Sequence, residues 1–368
     1  MALSAPVRAF HRSTPPVTAL TLNGNADLPP VPSQGRRLLA LEQVGIVFTL
    51  FPFSTGPAIS VVAAGVNPAV SYGGRVLLWE TTADPLQSGL PGWQIVADQY
   101  GMWTMPAPDP TGTSRNPSAD KRGQAIAFES AGDLTSTGVP GIRRVYVRDK
   151  AGTLRLASTG LGSSGNAMMS AKGVLVAFES TSHPVSGADT GVSQIWTWAP
   201  SRSAERITSG AGDSTRPIVS DDGRLIAFGS TADLAGDGHD TGTPQIFGYD
   251  YKSATFARIT NEPGGCTRPA VAKVQGDWRF TFVCGGQAYY HMLRLNQRYH
   301  VPTVGGTVQS IIPEMGVHFL TLSTTANLLA GSGSTIGNRI YMVNLYARPA
   351  VPVAGTATWF PYQGIPGF

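Results

Sequence analysis

Two cysteines in 368 residues, few charges and no long apolar run set the first limits on this chain. A membrane helix needs about eighteen or more consecutive apolar residues, and no stretch here reaches that, so no membrane span is expected. Charged residues make up 14% of the chain, with a net charge of +4 and a pI near 9.1. No run of Lys and Arg is long enough to form a basic stripe, which argues against nucleic acid as a partner. Met1 to Pro6 lacks the apolar core of an intact signal peptide, so the chain reads as cytosolic or as a mature secreted chain with a start Met added. No segment repeats apolar residues at i, i+3, i+4 and i+7 between caps, so helix should be scarce. G-x-S-x-G is missing, which argues against a serine-hydrolase nucleophile. Gly160-Leu-Gly-Ser-Ser-Gly165 fits a dinucleotide pattern but lies on a turn with no helix after it. The six His share no metal-ligand spacing, although His291 and His300 flank one turn.

What the chain has is turns and short strands. Its 44 Gly and 28 Pro are spread along its whole length, as many short strands require. In Thr215 to Thr260, the apolar runs Pro217-Ile-Val219 and Leu225-Ile-Ala-Phe228 flank the tight turn Asp221-Asp222-Gly223. Gln245-Ile-Phe-Gly-Tyr249 alternates polar and apolar residues, the pattern of a half-buried strand, and Ala257-Arg-Ile-Thr260 closes a run of four strands, A to D. The same text recurs. The residue six before each A–B turn glycine is Pro29, Pro68, Pro117, Ala167, Pro217 and Ser310, while Pro269 has its turn glycine one place later. A period of about 40–50 residues holding four strands is that of a propeller blade, and single sheets of this size must stack in a ring to bury both faces. Seven blades are expected, or six with an N-terminal extension, and a strand at Val17–Leu22 could complete the last blade. The expected layout is an N-terminal tail at 1–27, one propeller domain at 28–358 and a C-terminal tail at 359–368.

The S-x-D-G-R-x-I-A-F … Q-I-F-x-x-D … R-I-T text, clearest from Ser220 to Thr260, resembles the repeat of TolB-like bacterial β-propellers, relatives of the WD repeat. The resemblance is good over residues 67–260 and fades in the outer blades. It implies an all-β ring and leaves activity open, because such relatives include periplasmic protein-binding factors, propeller domains of serine peptidases and glycan lyases.

Cys266 and Cys284 lie equidistant from Gln275 at an A–B hairpin turn, which brings them face to face as a disulfide, or as two unpaired buried thiols. A disulfide would point to a periplasmic or secreted location. One place before the register position stand Asn67, Asn116, Asn166, Arg216, Arg268 and Gln309. They form either a polar collar at a channel mouth, suited to a carboxylate or another anion at the two Arg, or a set of strand caps and bridges between blades. Long B–C loops at 83–92, 131–142, 181–193, 231–243 and 326–337 open on the same face, where binding usually resides. Asp233, Asp237 and Asp240 in one of them could offer oxygens to calcium, or stand as solvated loop acids; no other cofactor is indicated. Trp93, Trp103, Trp196, Trp198 and Trp278 could stack on sugars or pack between blades. The expected function is a non-catalytic, extracytoplasmic binding or scaffold propeller that presents its loop face to a protein or glycan. The alternatives are a polysaccharide lyase or hydrolase working in the channel mouth, and a structural subunit of a cell-surface assembly.

Overall fold

The computed structural model describes residues 58–328 except 137–138, 237–241, 275–276, 295, 302, 304–305 and 314–318, and also strands at 17–19, 31–32, 39–43, 46–51, 334–344 and 351–352. Among these residues there is no helix, and the strands form seven antiparallel sheets. After β1 (Val17–Ala19), the first sheet is β2 (Val31–Pro32), β3 (Leu39–Gln43), β4 (Ile46–Phe51) and β5 (Ala58–Ala64). The second is β6 (Val66–Val70), β7 (Leu77–Thr81), β8 (Gln94–Gln99) and β9 (Met102–Thr104), and the third is β10 (Arg115–Ala119), β11 (Ile126–Ser130), β12 (Arg144–Arg148) and β13 (Leu154–Leu156). The fourth holds β14 (Ser164–Met169), β15 (Val176–Ser182), β16 (Asp189–Ala199) and β17 (Arg202–Arg206); the fifth holds β18 (Ser214–Val219), β19 (Leu225–Ser230), β20 (Gln245–Asp250) and β21 (Thr255–Arg258). The sixth is β22 (Cys266–Val274), β23 (Asp277–Cys284), β24 (Gln287–Met292) and β25 (Gln297–Val301), and the seventh is β26 (Val308–Pro313), β27 (Phe319–Ala326) and β28 (Ser334–Asn344). Finally β29 (Val351–Pro352) adds to the outer edge of β25, and β1 adds to β28 with Val17 opposite Val343.

The repeated text has a physical cause at each position. The Ser or Asp that ends strand A caps the hairpin turn: Ser71, Ser170 and Ser220 Oγ accept the backbone N–H of Val76, Leu175 and Leu225 at 3.0, 3.2 and 2.9 Å. Asp120 Oδ1 does the same for Gln124 at 2.7 Å. A Gln of strand C is clasped by a Thr that follows strand D, with Thr208 to Gln194 at 2.7 Å, Thr260 to Gln245 at 2.8 Å and Thr303 to Gln287 at 2.8 Å. These bonds satisfy polar groups that the stacking of sheets would otherwise leave buried and bare.

The core lies in seams between successive sheets. Leu175, Ala177 and Ile195 of the fourth sheet pack on Val219, Phe228 and Phe247 of the fifth. The other side of the fifth, through Leu225, Ala227 and Ile246, packs on Val271, Trp278 and Phe280 of the sixth. One expectation is corrected here: β20 is buried along its whole length, where the alternation at Gln245–Tyr249 suggested a half-buried strand. Both faces are covered by neighbours, and a Cβ at Gly248 would come within 2.8 Å of the Phe280 ring. The 181–193 loop is also shorter than expected. Strand β16 starts at Asp189, opposite Ser182, and a turn closed by His183 N–H to Ala188 O at 2.7 Å leaves only 183–188 as a loop.

Candidate functional site

Strand A of each sheet packs against strand A of the next, from β6 through β26. The A–B turns at one end of these strands are stitched together: Gly73 N–H bonds to Lys121 O at 2.9 Å, and Lys121 N–H to Ala171 O at 2.8 Å. Tyr72 reaches across from the second sheet to the fifth, its hydroxyl donating to Val219 O at 3.1 Å. Burial drives the Tyr72 phenol well above its ordinary pKa, with the charge of Asp221 adding to the effect, so it stays a donor. A single side chain thus bridges the centre at this end.

The collar residues stand near the opposite end of the same strands. Each lies at a β-bulge, where the pairing of strands A and B shifts register. Asn67, Asn116, Asn166, Arg216 and Arg268 are all left-handed, with φ of 47°, 48°, 50°, 56° and 56°. Asn tolerates this region better than most residues, which fits the three Asn. Gln309 sits half-buried at the matching bulge between Val308 and Ser310.

Strand B supplies a glutamate to three of these bulges, a feature missed in reading the sequence. Glu80 accepts Asn67 Nδ2 at 2.8 Å and, from the next sheet, the backbone N–H of Asn116 at 2.6 Å. Asn116 Nδ2 in turn bonds to Glu129. Glu179 accepts Asn166 Nδ2 at 2.9 Å and the next sheet's Arg216 N–H at 2.5 Å. Arg115 and Arg143 complete the first two pairs, at 3.1 Å from Glu80 and 3.2 Å from Glu129. Burial raises the carboxyls of Glu80 and Glu179 above their ordinary range, against the pull of these donors. The three Asn amides are therefore engaged within the fold, tying each sheet to itself, while the Glu80 and Glu179 carboxylates also tie their sheets to the next.

The sequence signal was present. Glu80, Glu129 and Glu179 each stand six residues after the turn glycines Gly74, Gly123 and Gly173, and the same step from Gly223 lands on Gly229. Gly229 pairs with Thr215 just as Glu179 pairs with Gly165. Arg216 and Arg268 flank this gap. Among the described residues neither guanidinium donates a hydrogen bond or closes an ion pair, and Arg216 is exposed while Arg268 is half-buried. Burial first, then the like charge of Arg216, holds Arg268 below its ordinary pKa.

The remaining candidates separate. Cys266 and Cys284 are direct partners in the ladder and form a disulfide, with a Cα separation of 4.3 Å. Asp233 pairs with Arg258 at 2.6 Å, while Asp237 and Asp240 lie outside the described residues. His291 is buried opposite Arg298, and burial pushes its pKa down to about 4, whereas His300 contacts Gln287 at 3.4 Å. Trp196, Trp198 and Trp278 are core residues. Trp103 meets Trp79 edge-on at 5.3 Å, and Trp93 is capped by the Arg115 guanidinium at 3.7 Å.

No family model matches this chain, and neither does any curated protein. Solved structures do match. Oligogalacturonate lyase from Vibrio parahaemolyticus superposes with a TM-score of 0.58 at 11% identity, over 89% of this chain and 93% of that one. The β-propeller domain of the Trilobed protease from Pyrococcus furiosus gives a TM-score of 0.58 at 9% identity, over 86% of this chain and 94% of that one. The fold is a β-propeller. A putative TolB from Agrobacterium tumefaciens also matches, with 18% identity and a TM-score of 0.46 over 64% of this chain and 84% of that one. The propeller expected from the repeat is borne out by the superpositions on the lyase and on the Trilobed protease domain, at identities that speak for fold alone.

Proposed function

We propose that this protein is a non-catalytic binding propeller of seven blades, its ring closed by β1, which offers its loop face and channel mouth to a protein partner. The observation that carries this reading is the contrast between the two ends of the A strands. At the turn end, backbone bonds link the second, third and fourth sheets and Tyr72 reaches across to the fifth. The other end carries Arg216 and Arg268, the open part of the collar, together with the long loops. Leu161, on the connection from β13 to β14, and Val185, on the 183–188 loop, are 55% and 90% exposed, and Leu161 N–H bonds to Gly187 O at 2.6 Å, which brings the two segments together. Exposed apolar side chains on a rigid scaffold suit a protein surface better than a soluble sugar. The disulfide supports an oxidising, extracytoplasmic location.

The test is sedimentation of the labelled protein in an extract of its own cell envelope. A larger species that disappears with Leu161→Asp and Val185→Asp supports the reading. A species that survives both changes removes the loop face. Release of sugar from any acidic or neutral polysaccharide replaces binding with catalysis.

A further inference from the structure

Three consecutive collar seams are closed by a carboxylate, and the fourth is built to the same plan without one. In the closed seams the carboxylate receives the collar side chain of its own blade, a backbone N–H of the next blade, or both. At the seam between the fifth and sixth blades those counterparts are the Arg216 side chain and the Arg268 N–H, and Gly229 stands opposite them. The space is open: a Cβ on Gly229 would meet nothing nearer than Thr215 O at 3.9 Å, Gln245 O at 4.0 Å and Thr215 Oγ1 at 4.0 Å. The next position in the series, Val283, fills its seam with buried apolar bulk, so the gap is confined to Gly229. The Arg216 charge is felt by Glu179 of the preceding seam and also by Arg268, which it repels, and that repulsion is relieved when a further anion enters.

We propose that this seam is a carboxylate-binding notch, in which a glutamate or aspartate side chain of an acidic polypeptide takes the place that Glu80, Glu129 and Glu179 hold from within the fold. Guanidinium groups suit a carboxylate because each presents a planar fork of donors. The fold favours a side chain over a uronic acid. The missing group is a carboxylate on a two-carbon stem that leaves a backbone, whereas a uronate carries its carboxylate directly on a ring. The notch rests on the binding reading given above and names the chemistry of one contact within it.

The probe is a synthetic peptide of alternating glutamate and glycine, titrated at low salt against the full chain and compared with its glutamine counterpart. Binding of the glutamate peptide is expected to be at least roughly tenfold tighter, as the loss of one or two charge-assisted hydrogen bonds requires. Arg216→Asn with Arg268→Asn keeps residues that accept the left-handed backbone and should remove that preference. Gly229→Gln leaves net charge unchanged, and Gly229 is not left-handed, so a side chain is tolerated; filling the notch should abolish binding to the same extent. Peptide binding that persists in Gly229→Gln is general charge attraction and overturns the notch. Equal competition by a galacturonate oligomer overturns the choice of polypeptide. The two readings fail separately: loss of the envelope partner with peptide binding intact sinks the loop face, and the reverse sinks only the notch.

Discussion

The seam between the third and fourth blades and the seam between the fifth and sixth share one backbone plan and differ in the strand B residue, Glu129 against Gly229, and in the collar residues, Asn116 and Asn166 against Arg216 and Arg268. Both have a bulged A strand, a left-handed residue at the bulge and an apolar interior on either side. One holds Glu129, which is 1% exposed, bonds to Asn116 and Arg143 of its own sheet and lies against Gly165 of the next; the other has Gly229 and two arginines. The comparison teaches that ring geometry here does not depend on the carboxylate bolt. Apolar packing sets the stack, and the glutamates add a lock that the chain dispenses with where Arg216 and Arg268 stand.

The sharpest way to break this comparison is Glu129→Ala. It strands the Asn116 amide and Arg143 and should cost about 3 kcal/mol in urea unfolding, whereas Gly229→Ala should change stability by less than about 1 kcal/mol. Equal effects would mean that the glutamates are ornaments on the stack. Next comes the Cys266–Cys284 crosslink, which closes a span of 18 residues; replacing both with Ser should lower stability by about 3 kcal/mol in the same measurement. No change would mean that the ladder alone holds that hairpin. Third, Tyr72→Phe removes one hydrogen bond across the centre and should cost about 1 kcal/mol, with faster amide exchange at the A–B turns.

The smallest effect is pH dependence. Glu80 and Glu179 have folded pKa values raised above the ordinary 4.5, mainly by burial. Their contribution to stability is therefore full below that value and declines as pH rises through the raised folded values. Asp109 is the opposite case. Burial works to raise its pKa, but bonds from Thr111, Ser130 and Ser114 outweigh it and hold the carboxyl below 3.8, so its contribution is lost as pH falls through the lowered value. Urea midpoints measured from acid to neutral pH should decline less steeply on the alkaline side in a Glu80→Gln, Glu179→Gln variant than in the parent. Parallel curves would assign the slope to other groups.

The fold was legible because its signals are local and repeat. Turn glycines, Ser caps and the Gln of strand C recur at one spacing, and each has a hydrogen bond behind it. The cysteine pair was legible by symmetry about a turn, although the ladder near that turn pairs Val274 with Asp277, and only the bulge between Thr267 and Ala270 restores the register that joins Cys266 to Cys284. The collar positions were legible but not their engagement, because the deciding residues, Glu80, Glu129 and Glu179, lie in another strand. An acid directly after a short apolar run was the clue, since a buried carboxylate requires a partner. Tyr72 could not be read, as its partner is in a blade halfway around the stack. The half-buried reading of β20 failed because alternation marks one covered face, and here both faces are covered.

The pairing of β1 with β28 has a consequence for synthesis. Val17 pairs with Val343, so the sheet of β26, β27 and β28 gains its fourth strand only after β28 has left the ribosome. Until then the early-made Val17–Ala19 segment waits with no mate, and a β28 that emerges before the two meet presents a bare row of amides and carbonyls. Birth of this molecule should be slow at its last step, and fusions that tether its first residues should stall at that step.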